Sequence, residues 1–251
     1  MHDQSWQKIF YDHNIQSHNF DKNPYILTSG DIKKSVQDFK NTSEKEVRIL
    51  CKQDSREKRP EIFKKLGLFL LPIKNGKYAI IKGEGYIDIP QISEEALIYK
   101  SQLNFELDSI KVGDSEIQHL DFAYAVSIIR TFLNDQLLVL TIRGRKYTPK
   151  FEFFINNHKI EVSGVQTKVD AGYEGRNKLV LIEAKNRSTN NIIIRQLYYP
   201  FRHWQYFIKK QVILVFFRKD QNIYNLWQYG FKDSNDYNSI NLIKCSKYKI
   251  I

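Results

Sequence analysis

The stretch from Lys168 to Asn186, KVDAGYEGRNKLVLIEAKN, constrains the fold of this chain more than any other. Two strand-like runs flank a polar turn, Gly175-Arg176-Asn177-Lys178, and the symmetric register of such a turn sets Gly175 opposite Lys178. Followed outward, the same register sets Asp170 opposite Glu183, with Cβ atoms about 4.5–5.5 Å apart. Strand side chains alternate, so Glu183 and Lys185 project from one face while Val180, Ile182 and Ala184 go to the other. Two carboxylates that face each other repel, and something must offset that repulsion. Mg²⁺ does so: it takes carboxylate oxygens at about 2.0–2.1 Å, keeps several waters and accepts phosphate oxygens. A cation so held polarises a phosphate and lowers the pKa of a bound water, while a neighbouring lysine orients or deprotonates that water. Asp170, Glu183 and Lys185 are therefore the candidate catalytic residues, and Asp170 and Glu183 the candidate ligands for Mg²⁺, with Mn²⁺ as a substitute.

The pattern is sharpened by its setting. Glu183-Ala184-Lys185 is the one Glu-x-Lys in the chain, and it ends an apolar strand. The Asp-x-Lys matches at Asp31–Lys33 and Asp38–Lys40 lie in a polar, helical stretch and read as solvated surface. Charge points the same way. The net charge is +11, and residues 140–251 carry 20 basic against 8 acidic groups, more than the whole excess. A field of that sign concentrates polyanions, of which nucleic acid is the commonest.

The 251 residues, 42% of them hydrophobic, suffice for one large or two modest domains with a sizeable core. Every apolar run is strand-sized, as at Leu66–Ile73 and Val212–Phe217, so no membrane span is expected. The N-terminus lacks the order of a signal peptide, and Cys51 and Cys245 make no disulfide framework, so a reducing, cytoplasmic compartment is the expectation. The histidines show no paired metal spacing, and neither a Gly-x-Ser-x-Gly nor a Walker loop occurs.

Punctuation divides the chain at 88–92, giving an N-terminal region 1–90 and a second domain 91–251. Ser43 and Glu46 form a capping-box pattern that predicts a helix from Glu44 to about Lys52, and Pro60 and Gly67 bracket another with Ile62, Phe63 and Leu66 inward. Asn75-Gly76 between apolar runs predicts a type I′ hairpin, and helices followed by a hairpin are also how winged-helix modules are built. In the second domain a helix is expected over 116–133 behind Ser115 and Gln118. Strands are expected near 137–144, 150–156, 159–170, 178–184, 211–218 and 222–230. The cluster Ser188-Thr189-Asn190 is expected to cap a helix carrying Ile194, Leu197, Phe201, Trp204 and Ile208, with a kink or a restart at Pro200.

With Asp170 as first acid and Glu183-Ala184-Lys185 as the E-x-K element, the chain resembles the PD-(D/E)xK nuclease superfamily. VDAGYEG, LIEAKN and IIIRQLYYPFRHW are together similar to the catalytic domain of one group of bacterial type II restriction endonucleases. DSREKRPEIFKKLGLFLLPIKNGKYAIIKGEGYIDIP is similar to the segment that precedes it in them, so the resemblance covers roughly residues 45–230. Val169 stands where the motif has proline. The resemblance implies an α/β fold, a mixed central sheet flanked by helices in the order α, three strands, α, strand (a restriction-endonuclease-like core), with the helical and hairpin N-terminal region probing DNA. It implies a Mg²⁺-dependent, sequence-specific endodeoxyribonuclease that leaves 5′-phosphate and 3′-hydroxyl ends, acts on double-stranded DNA as a homodimer and is paired with a companion DNA methyltransferase. It also suggests Arg195 and Gln196, at the start of the helix after the catalytic strand, as phosphate contacts, and Glu116 or Asp121 as an extra acid. Arg143, Arg145 and Lys146 form a basic turn suited to a phosphate backbone. A structure-specific repair or recombination nuclease and a non-catalytic DNA-binding regulator are the alternatives.

Overall fold

The computed structural model describes residues 2–185 and 189–251, and at Ile110 and Lys111 the backbone alone. The N-terminal part runs α1 (Asp3–Asp12), β1 (Tyr25–Thr28), α2 (Ser29–Val36), α3 (Thr42–Lys45), α4 (Val47–Leu50), α5 (Glu61–Lys65), β2 (Leu68–Lys74) and β3 (Lys77–Lys82). Its three strands form an antiparallel sheet in the order β1-β3-β2. Trp6, Phe10 and Phe63 meet edge to face at ring-centroid distances of 4.8–6.4 Å and close a separate small core beneath this sheet.

Several local expectations are corrected here. The helix over 44–52 is two short turns broken at Glu46, whose extended backbone (ψ 115°) ends α3, and no side-chain cap forms at either. The helix after Pro60 forms with Phe63 buried, but Leu66 is exposed. At the hairpin only Gly76 takes positive φ (70°), and the register slips between Pro72 and Lys74, so the turn is not type I′, which needs both central residues left-handed.

The remainder runs β4 (Tyr86–Asp88), β5 (Leu97–Tyr99), α6 (Glu116–Ala125), α7 (Ile128–Leu133), β6 (Val139–Tyr147), β7 (Phe151–Ile155), β8 (His158–Val162), β9 (Gln166–Glu174) and β10 (Lys178–Lys185). It continues with β11 (Asn191–Ile193), α8 (Arg195–Phe207), β12 (Gln211–Asp220), β13 (Ile223–Phe231) and β14 (Ile240–Ile250). Seven strands form one mixed sheet in the order β5-β14-β13-β12-β10-β9-β6, in which β10 and β12 run parallel and β6, β9 and β10 are antiparallel neighbours. A parallel neighbour needs a crossover, which α8 supplies between β10 and β12.

The run Leu179-Val180-Leu181-Ile182 is buried throughout because β10 is covered on both faces. Val180, Ile182 and Ala184 pack with Leu120, Ile129 and Phe132 from α6 and α7. Leu179 and Leu181 pack on the other side with Leu197, Tyr198 and Phe201 of α8.

Here too the sequence misjudged breaks. The helix over 116–133 divides at Ser127, which takes φ 71°. Ser115 Oγ accepts from Gln118 N at 3.1 Å, but the Gln118 amide donates to Ser109 O instead of completing the box. The strand over 159–170 is two strands parted by Gly164 at φ 64°. The turn expected at Arg143–Tyr147 is the end of the continuous strand β6. The helix after Asn190 starts only at Arg195, because Asn191–Ile193 pair with β4 as a short strand. Ser188 of the expected cap lies outside the described residues. Strand β14, unforeseen, extends the sheet beyond β13. Cys51 and Cys245 are both free thiols. Among the described residues no helix is long and apolar enough to cross a membrane.

Candidate active site

The hairpin of β9 and β10 closes as the turn arithmetic predicts. Gly175 N donates to Lys178 O at 2.9 Å, and the ladder runs from Leu179 opposite Glu174 to Ile182 opposite Ala171. Asp170 and Glu183 are the next positions in that register, and there side chain takes over from backbone: Asp170 Oδ2 accepts from Ala184 N at 2.9 Å. On its other edge β9 is bulged. Gly172 faces Ile142 and Val169 faces Gly144, so three residues of β9 span what two of β6 span. Glycine is required at 172, since a Cβ there would lie 2.7 Å from Ile142 Cβ. The bulge falls at Asp170 and Ala171 and re-aims the acid relative to a regular strand.

Both acids are buried, Asp170 at 2% and Glu183 at 8% exposure. Burial pushes the Glu183 carboxyl up to about 7; Lys185 works against that rise and Asp170 adds to it. Lys185 Nζ contacts Glu183 Oε1. Burial alone would lower the Lys185 ammonium, but Glu183, Glu116 and Asp170 together hold it above the ordinary lysine value. Lys185 thus stays charged at neutral pH. Asp170 Oδ1 is ion-paired with Lys168 Nζ at 2.7 Å. A buried carboxylate oxygen whose partner is an exposed, flexible ammonium suits a ligand atom that could exchange that partner for another cation.

A cleft of about 1050 Å³ opens over these groups. Glu183, Lys185, Lys168 and Glu116 line it from the sheet and the first turn of α6, and Arg195 and Gln196 from the first turn of α8. The opposite wall is Lys52–Lys58 of the N-terminal part. Asn191 fastens that wall: its Oδ1 accepts from Arg56 N and its Nδ2 donates to Glu57 Oε1, both at 2.7 Å. Ile193 N adds a bond to Asp54 O at 3.0 Å.

The residues singled out in the sequence are thus dispersed unevenly. Asp170, Glu183, Lys185 and Glu116 fall together, each acid acting on the same ammonium. Arg195 reaches Asp54 across the cleft at 3.8 Å, and its Nε and the Gln196 Oε1 are buried without hydrogen-bond partners. Arg143 points elsewhere: it ion-pairs with Asp121, and its Nη1 donates to Asp170 O at 3.0 Å, so it buttresses the acid's backbone. Asp121 is engaged there and does not line the cleft. Arg145 and Lys146 are exposed on the edge strand β6, opposite Lys168 and Thr167.

Sequence reasoning missed Lys168 and the wall at Lys52–Lys58. Lys168 carried a signal, since a residue two before Asp170 on one strand shares its side. The wall carried only a basic composition, and of that cluster Arg56 is tied to Glu84 and Asp88 while Arg59 donates to Leu68 O.

Among the described residues no group of three or more His, Cys, Asp or Glu side chains is disposed to hold a metal ion. The donor set is two buried carboxylates, which suits an ion that keeps its waters and draws on phosphate for the rest.

Two family models match the chain. Residues 3–80 match the domain of unknown function DUF6996, and residues 81–249 match the domain of unknown function DUF6997; they meet inside β3. No curated protein and no solved structure matches it. With α6 to α8, the large mixed sheet and the cleft residues Glu116, Glu183, Lys185 and Arg195 inside the longer match, the chain belongs to the DUF6997 family, joined to a DUF6996 segment that supplies the opposite wall.

Proposed function

We propose that this chain is a Mg²⁺-dependent endodeoxyribonuclease of the type II restriction kind, with Asp170, Glu183 and Lys185 as its catalytic residues. One observation carries the proposal: Glu183, a buried carboxyl pushed up to about 7, lines a cleft with a charged lysine, and a second buried carboxylate, Asp170, stands opposite it on β9 with Lys168 as its counter-ion. Such an arrangement costs stability and gains nothing in packing. A bound Mg²⁺ or Mn²⁺ would polarise the scissile phosphate and acidify a water.

Asp170 and Glu183 would hold that ion. Lys185, kept protonated by the surrounding acids, donates hydrogen bonds that orient the attacking water and offsets charge on the phosphate. It is too firmly charged to take the proton itself. Arg195 and Gln196 at the start of α8 would bind the phosphate backbone, and Glu116 tunes Lys185. The succession α6/α7, then β6, β9 and β10 as antiparallel neighbours, then α8 and a strand parallel to β10 supports a restriction-endonuclease-like core. In the N-terminal part, the order helix, strand, helices, hairpin with β1 on the hairpin's edge supports a winged-helix-like, DNA-contacting role. Double-stranded DNA is the partner, and a homodimer would cut both strands of a symmetric site.

The test is incubation of unmethylated plasmid and phage DNA with the protein and Mg²⁺ or Mn²⁺. Discrete fragments, abolished by EDTA and by Asp170→Asn, are the expected result. Nicks confined to branched DNA would instead favour repair chemistry. Intact DNA that is still bound, or cutting that survives Asp170→Asn, would sink the proposal.

A further inference from the structure

A second positive group beside the acid pair is Lys168, two residues before Asp170 on β9. Its Nζ lies 2.7 Å from Asp170 Oδ1 and forms an ion pair with it. Exposure is unequal across that pair: the Lys168 side chain is 49% exposed and that of Asp170 2%. Lys168 lines the cleft and Asp170 does not, so the ammonium lies between the acid and solvent. Its charge also acts on Glu183. Lys168 thus pairs with Asp170 from the solvent side, while Lys185 contacts Glu183.

Asp170 Oδ2 is taken by Ala184 N, so a divalent ion held by Asp170 must bind Oδ1, the atom the Lys168 ammonium contacts, and the two cations cannot both occupy it. The acid is fixed, because Asp170 Oδ2 is engaged by Ala184 N and its backbone by Arg143. The lysine is free to move on a flexible four-carbon stem with water on one side. We infer that Lys168 is a built-in cation that occupies the acid pair until a divalent ion displaces it into the cleft, where its ammonium turns toward the phosphate backbone. Lys168 therefore gates metal entry, and the protein without metal avoids bare facing carboxylates. This rests on the metal-dependent activity proposed above.

The experiment titrates Mn²⁺ into the chelator-treated full-length protein and reads the free ion by electron paramagnetic resonance. Wild type, Lys168→Met and Asp170→Asn are compared. Removing a competing charge a few ångströms from the ion should tighten binding at least roughly tenfold in Lys168→Met, while Asp170→Asn weakens it strongly. Equal or weaker binding by Lys168→Met, with Asp170→Asn still weakening it, overturns the gate and leaves the metal-dependent activity standing. Absence of Asp170-dependent binding in both wild type and Lys168→Met overturns both. Should Lys168→Met fail to fold, acetylation of Lys168 in wild type, mapped by mass spectrometry, decides: the rate should rise when Mn²⁺ is added, and an unchanged or lower rate refutes displacement.

Discussion

Glu183→Gln should stabilise the metal-free protein, and more so as pH rises. Glu183 has an ordinary value of 4.5 and is pushed up to about 7 in the folded state, chiefly by burial. A carboxyl whose folded pKa is raised holds its proton better when folded, so its contribution is full below pH 4.5 and is lost as pH climbs through about 7. At about 1.4 kcal/mol per pH unit, the gap between those two values amounts to about 3 kcal/mol. Glutamine keeps the shape of the protonated acid and does not ionise. The variant should therefore exceed wild type by about 3 kcal/mol at pH 8.5 and by less than about 1 kcal/mol at pH 5. Urea denaturation in EDTA across pH 5–9 measures this difference directly. Saturating Mg²⁺ should stabilise wild type and leave the variant unmoved. A difference that stays flat with pH, or a variant less stable than wild type at pH 8.5, would refute the argument that Glu183 is held in an unfavourable environment.

Arg143→Ala removes the bond to Asp170 O and should lower the cleavage rate about 10–100-fold by misplacing the acid. DNA affinity measured in Ca²⁺ should change little, and a large loss of affinity instead would make Arg143 a DNA contact. Asn191→Ala strands the Arg56 amide and Glu57 and should cost about 2 kcal/mol in thermal or chemical unfolding. An unchanged melting temperature would mean that the cleft wall is held by other contacts.

The hairpin of β9 and β10 was legible because its information is local: a two-residue turn fixes the register, and register fixes which side chains face each other. The apolar stripe of α8 and the apolar run of β10 were legible for the same kind of reason, periodicity within one element. Where the sequence failed, a distant partner had overridden a local pattern. Asn191–Ile193 have a helix-like setting but form a strand, because β4 offers unpaired backbone to them. Arg143 reads as a phosphate contact by composition, yet Asp121 and the Asp170 carbonyl claim it.

What the sequence by itself determined is the pairing of Asp170 with Glu183 and the placing of Lys185 on the same side, since both follow from strand alternation about one short turn. What only the tertiary structure decided is the environment of that trio: that both acids are largely buried, that Glu116 and Lys168 join them, and that Lys52–Lys58 line the same cleft as Glu183 and Lys185. Burial and a shared field depend on residues more than a hundred positions apart, as with Arg56 and Asn191, and no local pattern encodes which distant elements will meet.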